Sequence, residues 1–422
     1  MNKKICKELI SIAFPAMGEN LLQMLMGMVD SYLVASLGIV ALSGVSIANN
    51  LLAVYQAVFI ALAAAVSSQL AHVVGKEKGM QITAIVTDSV KLTVYVGVFL
   101  GILAVILGPT LLTSLGAERE VAQLGGLYLI LVGGSILLLG LMTCLGGILR
   151  TLGQPRYPMY ISLFSNLLNA VFSAIAVFVL HTGVAGVAFG TILSRIIGCG
   201  LLWSRLSISI KPSTWSVDKE LVRLALPAIG ERLMMRAGDV VIVGMITGLG
   251  TAVVAGNAIG ETITQFNYMP TLGISVATLI MTAKSRQDSL AVQRIYRIGL
   301  GLSLIFMFVI GGISYFAGPL LISLFTMDVQ VAQASQTVLL YSVLGVPFTA
   351  ATLVFTGLWQ GMGNARLPFY ATGIGMWVVR IGLAYFLIKN FQLGLPSIWL
   401  ATIADNAFRA SLLYVRYRYS TG

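Results

Sequence analysis

The sequence predicts an all-α polytopic membrane protein: twelve transmembrane helices in two parallel six-helix bundles, related by a pseudo-twofold axis about the membrane normal. Three observations lead there. Of 422 residues, 58% are hydrophobic and only 10% are Asp, Glu, Lys or Arg, far below the roughly 25% of a soluble globular chain. Apolar stretches of about 20 residues recur along the chain, each long enough to cross a hydrocarbon core about 30 Å thick. The chain also repeats itself at an offset close to half its length. Unpaired backbone groups are costly in hydrocarbon, so the stretches are read as helices; they lack the short alternating pattern of barrel strands.

The expected spans are 10–36, 43–69, 84–107, 121–145, 158–180, 185–205, 221–247, 251–278, 294–317, 332–357, 368–388 and 395–415. Charge bias orients them. With the N-terminus inside, the inner segments carry Lys3, Lys4, Lys7, Lys76, Lys78, Arg150, Arg156, Arg205, Lys211, Lys219, Arg223, Lys284, Arg286, Arg294, Arg297, Arg366, Arg416 and Arg418. The outer segments carry only Arg119 and Lys389. Short loops rich in Lys and Arg stay in the cytoplasm, so both termini are expected there. A miscounted span would have scrambled this alternation. The opening MNKKICKELI runs straight into the first span without a small-residue cleavage site, so the first helix is expected to be retained.

The repeat fixes the domain organisation. FPAMGENLL at 14–22 matches LPAIGERLM at 226–234, an offset of 212 that also places Leu37-Gly38 on Leu249-Gly250 and Gly44 on Gly256. Further along, the offset is 210: Gly108-Pro109 falls on Gly318-Pro319, Val121-Ala122-Gln123 on Val331-Ala332-Gln333, Gly153 on Gly363 and Pro158 on Pro368. Six spans per unit return the chain to its starting side, so the halves have parallel topology. The expected domains are 1–206, a cytoplasmic linker at 207–220, and 221–422. Two such bundles can rock about a central cavity, which makes transport the leading function.

Other classes fit poorly. The net charge of +11 lies in short loops rather than in a basic field interleaved with aromatics, so no nucleic-acid partner is expected. Cys6, Cys144 and Cys199 lack metal-ligand spacing, and there are only two histidines. No GxxxxGK[ST] motif is present. The chain is therefore read as no enzyme, without a cofactor, driven by an H⁺ or Na⁺ gradient and surrounded by membrane lipid.

Ionisable residues at membrane depth are expensive and mark sites or pairs. Asp30 lies in MLMGMVDSYLVASLG with no Lys or Arg nearby on its own helix. It is either a cation-coupling site or a fixed helix–helix hydrogen bond. Asn166, Asn169 and Ser173 share the fifth span, with Asn169 and Ser173 on one face; neutral oxygens beside one carboxylate suit Na⁺ or H⁺, with Asp30 and Asn169 as the Na⁺ ligands. Arg195 is a candidate counter-charge. Glu19 and Glu231 are equivalent in the repeat, which points to the shared fold. Glu231, Arg232, Arg236 and Asp239 cluster on the seventh span, Asp405 and Arg409 stand four apart on the twelfth, and Arg380 lies on the eleventh. A substrate cavity is expected to draw on Met28, Tyr32, Tyr55, Arg195, Glu231, Asp239, Glu261 and Met269, since polarizable and aromatic side chains suit apolar cations. The same residue types are ordinary packing material. Pro15, Pro227, Pro270 and Pro347 are expected to bend or break their helices.

These residues resemble the multidrug and toxic compound extrusion family, in particular its DNA-damage-inducible-type prokaryotic branch. The resemblance rests on PAMGEN at 15–20, VDSYLVASLG at 29–38, ALSGV at 41–45, LPAIGER at 226–232, GLGTAVVAGN at 248–257 and GMGNARLP at 361–368. It implies a cation antiporter, functional as a monomer, that exchanges Na⁺ or H⁺ for organic cations and other amphiphilic drugs. Asp30 matches the family's first-helix acidic residue and Asn169 its fifth-helix asparagine. Where the family often has an aspartate four residues later, this chain has Ser173, which leaves the coupling ion open. The functional alternative is a flippase-type exporter of a lipid-linked or anionic amphiphile, which calls for a basic cavity.

Overall fold

The computed structural model describes residues 2–76, 79–114, 118–206 and 216–421. Lys78, and residues 207–215 of the expected linker with Lys211 and Pro212, lie outside the described residues. All regular structure among the described residues is helical. The helices are α1 (Asn2–Ala35), α2 (Ile39–Val74), α3 (Gly79–Ser114), α4 (Arg119–Gly133 with Ile136–Thr151), α5 (Arg156–Val179) and α6 (Gly183–Ser204). The second set is α7 (Lys219–Thr247), α8 (Thr251–Lys284), α9 (Ser289–Phe316), α10 (Val329–Leu344 with Val346–Gly361), α11 (Arg366–Phe391) and α12 (Leu395–Thr421). A short helix, Gly318–Ser323, precedes α10. Each expected span thus coincides with one helix or one bent pair, in a polytopic all-α membrane fold.

Seven of these helices are by themselves long and apolar enough to cross a membrane, and the bent pairs raise that to nine. The other three, α7, α8 and α12, are the most polar. Their polar groups explain this and turn inward: Glu231 on α7, Asn257, Thr264 and Asn267 on α8, and Asp405 and Arg409 on α12 are all buried. Burial of a polar group within a bundle, against partners, is the arrangement hydrocarbon tolerates. Several helices outrun their apolar stretches. At 1.5 Å per residue, the 36 residues of α2 span about 54 Å, well beyond the hydrocarbon core.

The repeat is visible in backbone detail. Gly38 and Gly250 turn the chain between the first and second helix of each half with φ of 109° and 108°. Gly153 and Gly363 do the same after α4 and α10, at 90° and 81°. Only glycine takes such angles without strain. Two breaks also correspond: α4 bends 45° near Ser135, and α10 bends 58° at Gly345 ahead of Pro347. Pro15, Pro227 and Pro270 lie inside continuous helices. The π-helical turns at Leu129–Gly133, Ile175–Val179 and Gly375–Arg380 have no signature that the sequence reading used.

The chain forms two compact units. The N-terminal bundle is Gly18–Ala225, and the C-terminal bundle is Met1–Met17 with Leu226–Gly422. These boundaries differ from the expected 206 and 221: they fall inside α1 and α7, close to the equivalent prolines Pro15 and Pro227. The first turn of α7 is held in the N-terminal bundle, where Gln69 Nε2 donates to Asp218 and the Asp218 amide donates to Asp88 Oδ2 at 3.1 Å. The start of α1 packs in the C-terminal bundle. A methyl group on Gly273 of α8 would stand 2.6 Å from the Ala13 carbonyl oxygen, and one on Gly299 of α9 would stand 3.6 Å from Leu9.

Candidate functional site: buried carboxylates in each bundle

In the N-terminal bundle, three residues from two helices converge on Asp30 of α1. The amide nitrogen of Asn169 on α5 donates to both Asp30 carboxylate oxygens, at 3.2 Å each. The amide oxygen of Asn169 accepts from Ser173 Oγ at 3.3 Å and from Thr191 Oγ1 of α6 at 3.2 Å. Helix periodicity explains the first contact: Asn169 and Ser173 stand one turn apart on one face of α5. Asn169, Ser173 and Thr191 are buried, while Asp30 is half-buried at the edge of the cluster. The set offers one carboxylate, one amide oxygen and two hydroxyls, the neutral-plus-anionic oxygen chemistry that a hard monovalent cation or a proton takes. Among the described residues, no three His, Cys, Asp or Glu group to hold a metal ion.

Arg195, one turn beyond Thr191 on α6, acts electrostatically on Asp30, Tyr128 and Cys199. Its Nη1 is buried without a hydrogen-bond partner among the described residues. Tyr128 on α4 is buried beside the same charges. Sequence reasoning missed Thr191 and Tyr128. Thr191 carried a usable signal, its i,i+4 spacing to Arg195; Tyr128 sits in a glycine-rich stretch with none. Asn166 is not brought into the cluster by any hydrogen bond of its amide nitrogen, which is buried and unpaired. Met28 and Tyr32 are exposed on the same half of α1, whereas Tyr55 is buried in α2.

Glu19 and its partner form the second feature of this bundle. Arg150 Nη1 of α4 donates to Glu19 Oε2, and both side chains are largely buried. Removing one member leaves a charge without its partner, a loss of roughly 3–5 kcal/mol for a buried pair. Arg150→Ala is therefore expected to lower the thermal unfolding midpoint in detergent strongly, with Glu19→Gln/Arg150→Gln losing less than either single change. An Arg150→Ala protein as stable as wild type would contradict this.

The C-terminal bundle answers with different chemistry. Glu231 is buried and accepts from Thr372 Oγ1 of α11 at 3.2 Å and Gln360 Nε2 of α10 at 3.3 Å. Arg409 on α12 pairs with Asp405 one turn earlier, Nε to Oδ1 at 2.9 Å and Nη2 to Oδ2 at 3.0 Å. Its remaining donors reach Asn406 Oδ1 at 3.1 Å and Thr372 Oγ1 at 3.4 Å. The pair lies against the backbone of Gly375, in a π-helical turn of α11. A methyl group there would stand 2.8 Å from Arg409 Cγ and also collide with Asp405. Gly375→Ala is thus expected to displace the pair and lower the unfolding midpoint; Gly382→Ala, with open space around it, is the control that should change little.

Asp239 of α7 pairs with Arg380 at 3.4 Å. Glu261 of α8 is exposed, near enough to Asp239 and Arg380 to feel both charges. A charge exposed at membrane depth is stable only against water or polar partners, and Asn257, one turn earlier on α8, is near enough to Glu261 to supply one. Met269 lies half-buried two turns further along α8. The expected cavity residues are therefore divided: Glu231 belongs to a closed network, Asp239 and Glu261 to an accessible face.

Helices that carry buried carboxylates in membrane-length bundles define a polytopic integral membrane protein with embedded ionisable sites. The MatE family model matches this chain twice, at residues 15–175 and 227–386. The chain belongs to the MatE family of membrane transporters, and the double match falls on the two halves of the repeat. It is 31% identical to the probable multidrug resistance protein NorM of Thermotoga maritima, covering 97% of this chain and 91% of the relative. It is 22% identical to the uncharacterized transporter YisQ of Bacillus subtilis, covering 97% and 93%. Among solved structures, it is similar to a MATE protein in a bent conformation, with a TM-score of 0.92 at 20% identity over 100% of this chain and 97% of the other. A MOP superfamily transporter from Pyrococcus furiosus gives 0.90 at 20% identity over 99% and 96%. These structural likenesses establish the fold.

Proposed function

We propose that this protein is a cation-coupled antiporter that exports amphiphilic organic cations, including drugs, across the cytoplasmic membrane of a prokaryote, acting as a monomer with both termini in the cytoplasm. The observation that carries the reading is the Asp30–Asn169 contact backed by Ser173 and Thr191. The names of the NorM relatives support drug export as the direction of transport.

The hydrogen bonds suggest how the cluster takes up a cation. With Asp30 ionised, Asn169 turns its amide nitrogen to the carboxylate and its oxygen to two hydroxyls. A proton on Asp30, or Na⁺ beside it, calls for an oxygen instead. The amide can rotate, because both hydroxyls accept as readily as they donate. Thr191 has a second acceptor for its proton, the Val187 carbonyl at 3.1 Å. Loading therefore reverses the polarity of the Asn169–Thr191 contact while the Thr191 proton keeps an acceptor. Coupling further requires that the two access states bind the cation unequally, since equal affinity shifts nothing.

The flippase alternative calls for basic residues free to hold an anionic headgroup. Of the candidate arginines Arg195, Arg232, Arg236, Arg380 and Arg409, the last two are committed to Asp239 and Asp405, which leaves fewer cations for an anionic headgroup and supports the cationic reading. Proteoliposomes loaded with a fluorescent cation such as ethidium, with Na⁺ and pH gradients imposed separately, test it. One of the two gradients should drive ethidium efflux. Transport that ignores both gradients overturns the coupling. Thr191→Val removes one hydroxyl from Asn169, worth about 1 kcal/mol for a typical hydrogen bond. It should weaken apparent cation affinity about five-fold with the fold intact; an unchanged cation dependence would remove Thr191 from the site.

A further inference from the structure

The two halves treat one equivalent carboxylate in opposite ways. Glu19 and Glu231 occupy the same repeat position, and the residue facing each one comes from equivalent positions too. Arg150 faces Glu19, and Gln360, at the offset of 210, faces Glu231. The first carboxylate therefore has a guanidinium in contact. Among the described contacts, the second is hydrogen-bonded by an amide and a hydroxyl and by no guanidinium. We propose that Glu231 is a second proton-binding site of this transporter, carried by the C-terminal bundle and independent of Asp30.

The charges around Glu231 set its state. On its own helix stand Arg232, Arg236 and Asp239; on α11, Arg380; on α12, Asp405 and Arg409. Arg380 is committed to Asp239. Arg409 pairs with Asp405 and also donates to Asn406 and Thr372. The guanidinium makes no hydrogen bond to Glu231 among the described contacts: the Thr372 hydroxyl stands between them, accepting from Arg409 and donating to Glu231 Oε1, while the Arg409 charge acts through space. Arg232 acts on Glu231 through space, and no hydrogen bond joins the two among the described contacts. A buried carboxylate without a contacting counter-ion is costly, and a proton removes the cost.

Thr372 makes the arrangement a route as well as a site. Its hydroxyl lies between a carboxyl that gains and loses a proton and a guanidinium that does not. Ionisation of Glu231 strengthens the donation from Thr372 and hence the pull on Arg409. Gly375 of the π-helical turn lies directly against Arg409, so the state of Glu231 is linked to the packing of α11 on α12.

The test uses the full-length protein in lipid nanodiscs and reads the carboxylic acid C=O band in infrared difference spectra taken between alkaline and acid pH. Wild type should gain a band on acidification that Glu231→Gln lacks and Asp30→Asn retains. Gln360→Arg recreates the pairing of the first half and should remove the same band by holding Glu231 ionised. Thermal unfolding confirms that each variant is folded. Identical gains in wild type and Glu231→Gln overturn the site, because Glu231 would then be locked in one state at every pH. Loss of the band in Asp30→Asn with its survival in Glu231→Gln would assign it to the other bundle and equally overturn it. Gradient-driven efflux can fail in the proteoliposome assay while this band persists, so the two proposals fall separately.

Discussion

Asp30→Asn is expected to reduce gradient-driven ethidium efflux from proteoliposomes to the level of protein-free vesicles, while the protein stays folded. Asn is nearly the same size as Asp and still meets Asn169 through its oxygen and amide. What it loses is the charge that a cation or proton neutralises. A neutral residue has no differential affinity for the ion between two access states, and without that difference the gradient does no work on the equilibrium. The loss should be complete rather than graded. Counterflow of labelled substrate with no ion gradient should survive, because it needs only a working cavity. Wild-type coupled efflux by the Asp30→Asn protein would place the coupling site elsewhere, and Glu231 would then be the first alternative.

Gly44→Leu is expected to be among the most damaging substitutions to the fold. Gly44 on α2 lies directly against α4: a methyl group there would stand 2.6 Å from the Val121 carbonyl oxygen and 2.8 Å from the Gly125 nitrogen. Both obstacles are backbone, so no side chain can move aside. Gly256 repeats the arrangement on α8, where a methyl would stand 2.7 Å from the Val331 carbonyl oxygen. Small residues let membrane helices approach closely, and that approach is the source of their packing energy. Forcing a leucine into such a seam costs about 3 kcal/mol or more. The expected readout is loss of the monodisperse peak in size-exclusion chromatography and a large drop in unfolding midpoint, for Gly256→Leu as well. Gly27→Leu is the contrast, since nothing lies within 4 Å of its Cβ position. A stable Gly44→Leu protein would mean that the seam opens more easily than its geometry implies.

Much of this molecule was legible before folding. Apolar length located all twelve helices, because it is a local property of a chain in a bilayer. The repeat predicted corresponding turns, and Gly38 and Gly250 adopt nearly the same φ. Asp30 and Asn169 stood out because an unpaired carboxylate and an amide in apolar spans demand partners. Their contact needed the structure: 139 residues separate them, and no spacing rule links α1 to α5. Thr191 and Tyr128 stayed hidden for the same reason. Threonines and tyrosines are common in spans, and only neighbours from other helices distinguish these.

The sequence by itself determined the class, the span count, the duplication and the residues that could not rest in lipid alone. Each follows from composition or order along the chain. Only the tertiary structure decided how each charge is compensated. It matched Glu19 with Arg150 and left Glu231 with Gln360 and Thr372, and it tied Arg409 to Asp405. It also placed the boundaries of the compact units inside α1 and α7 rather than in the linker. Compensation depends on which side chains from distant helices lie within a hydrogen bond of one another, and that is fixed by packing, not by order.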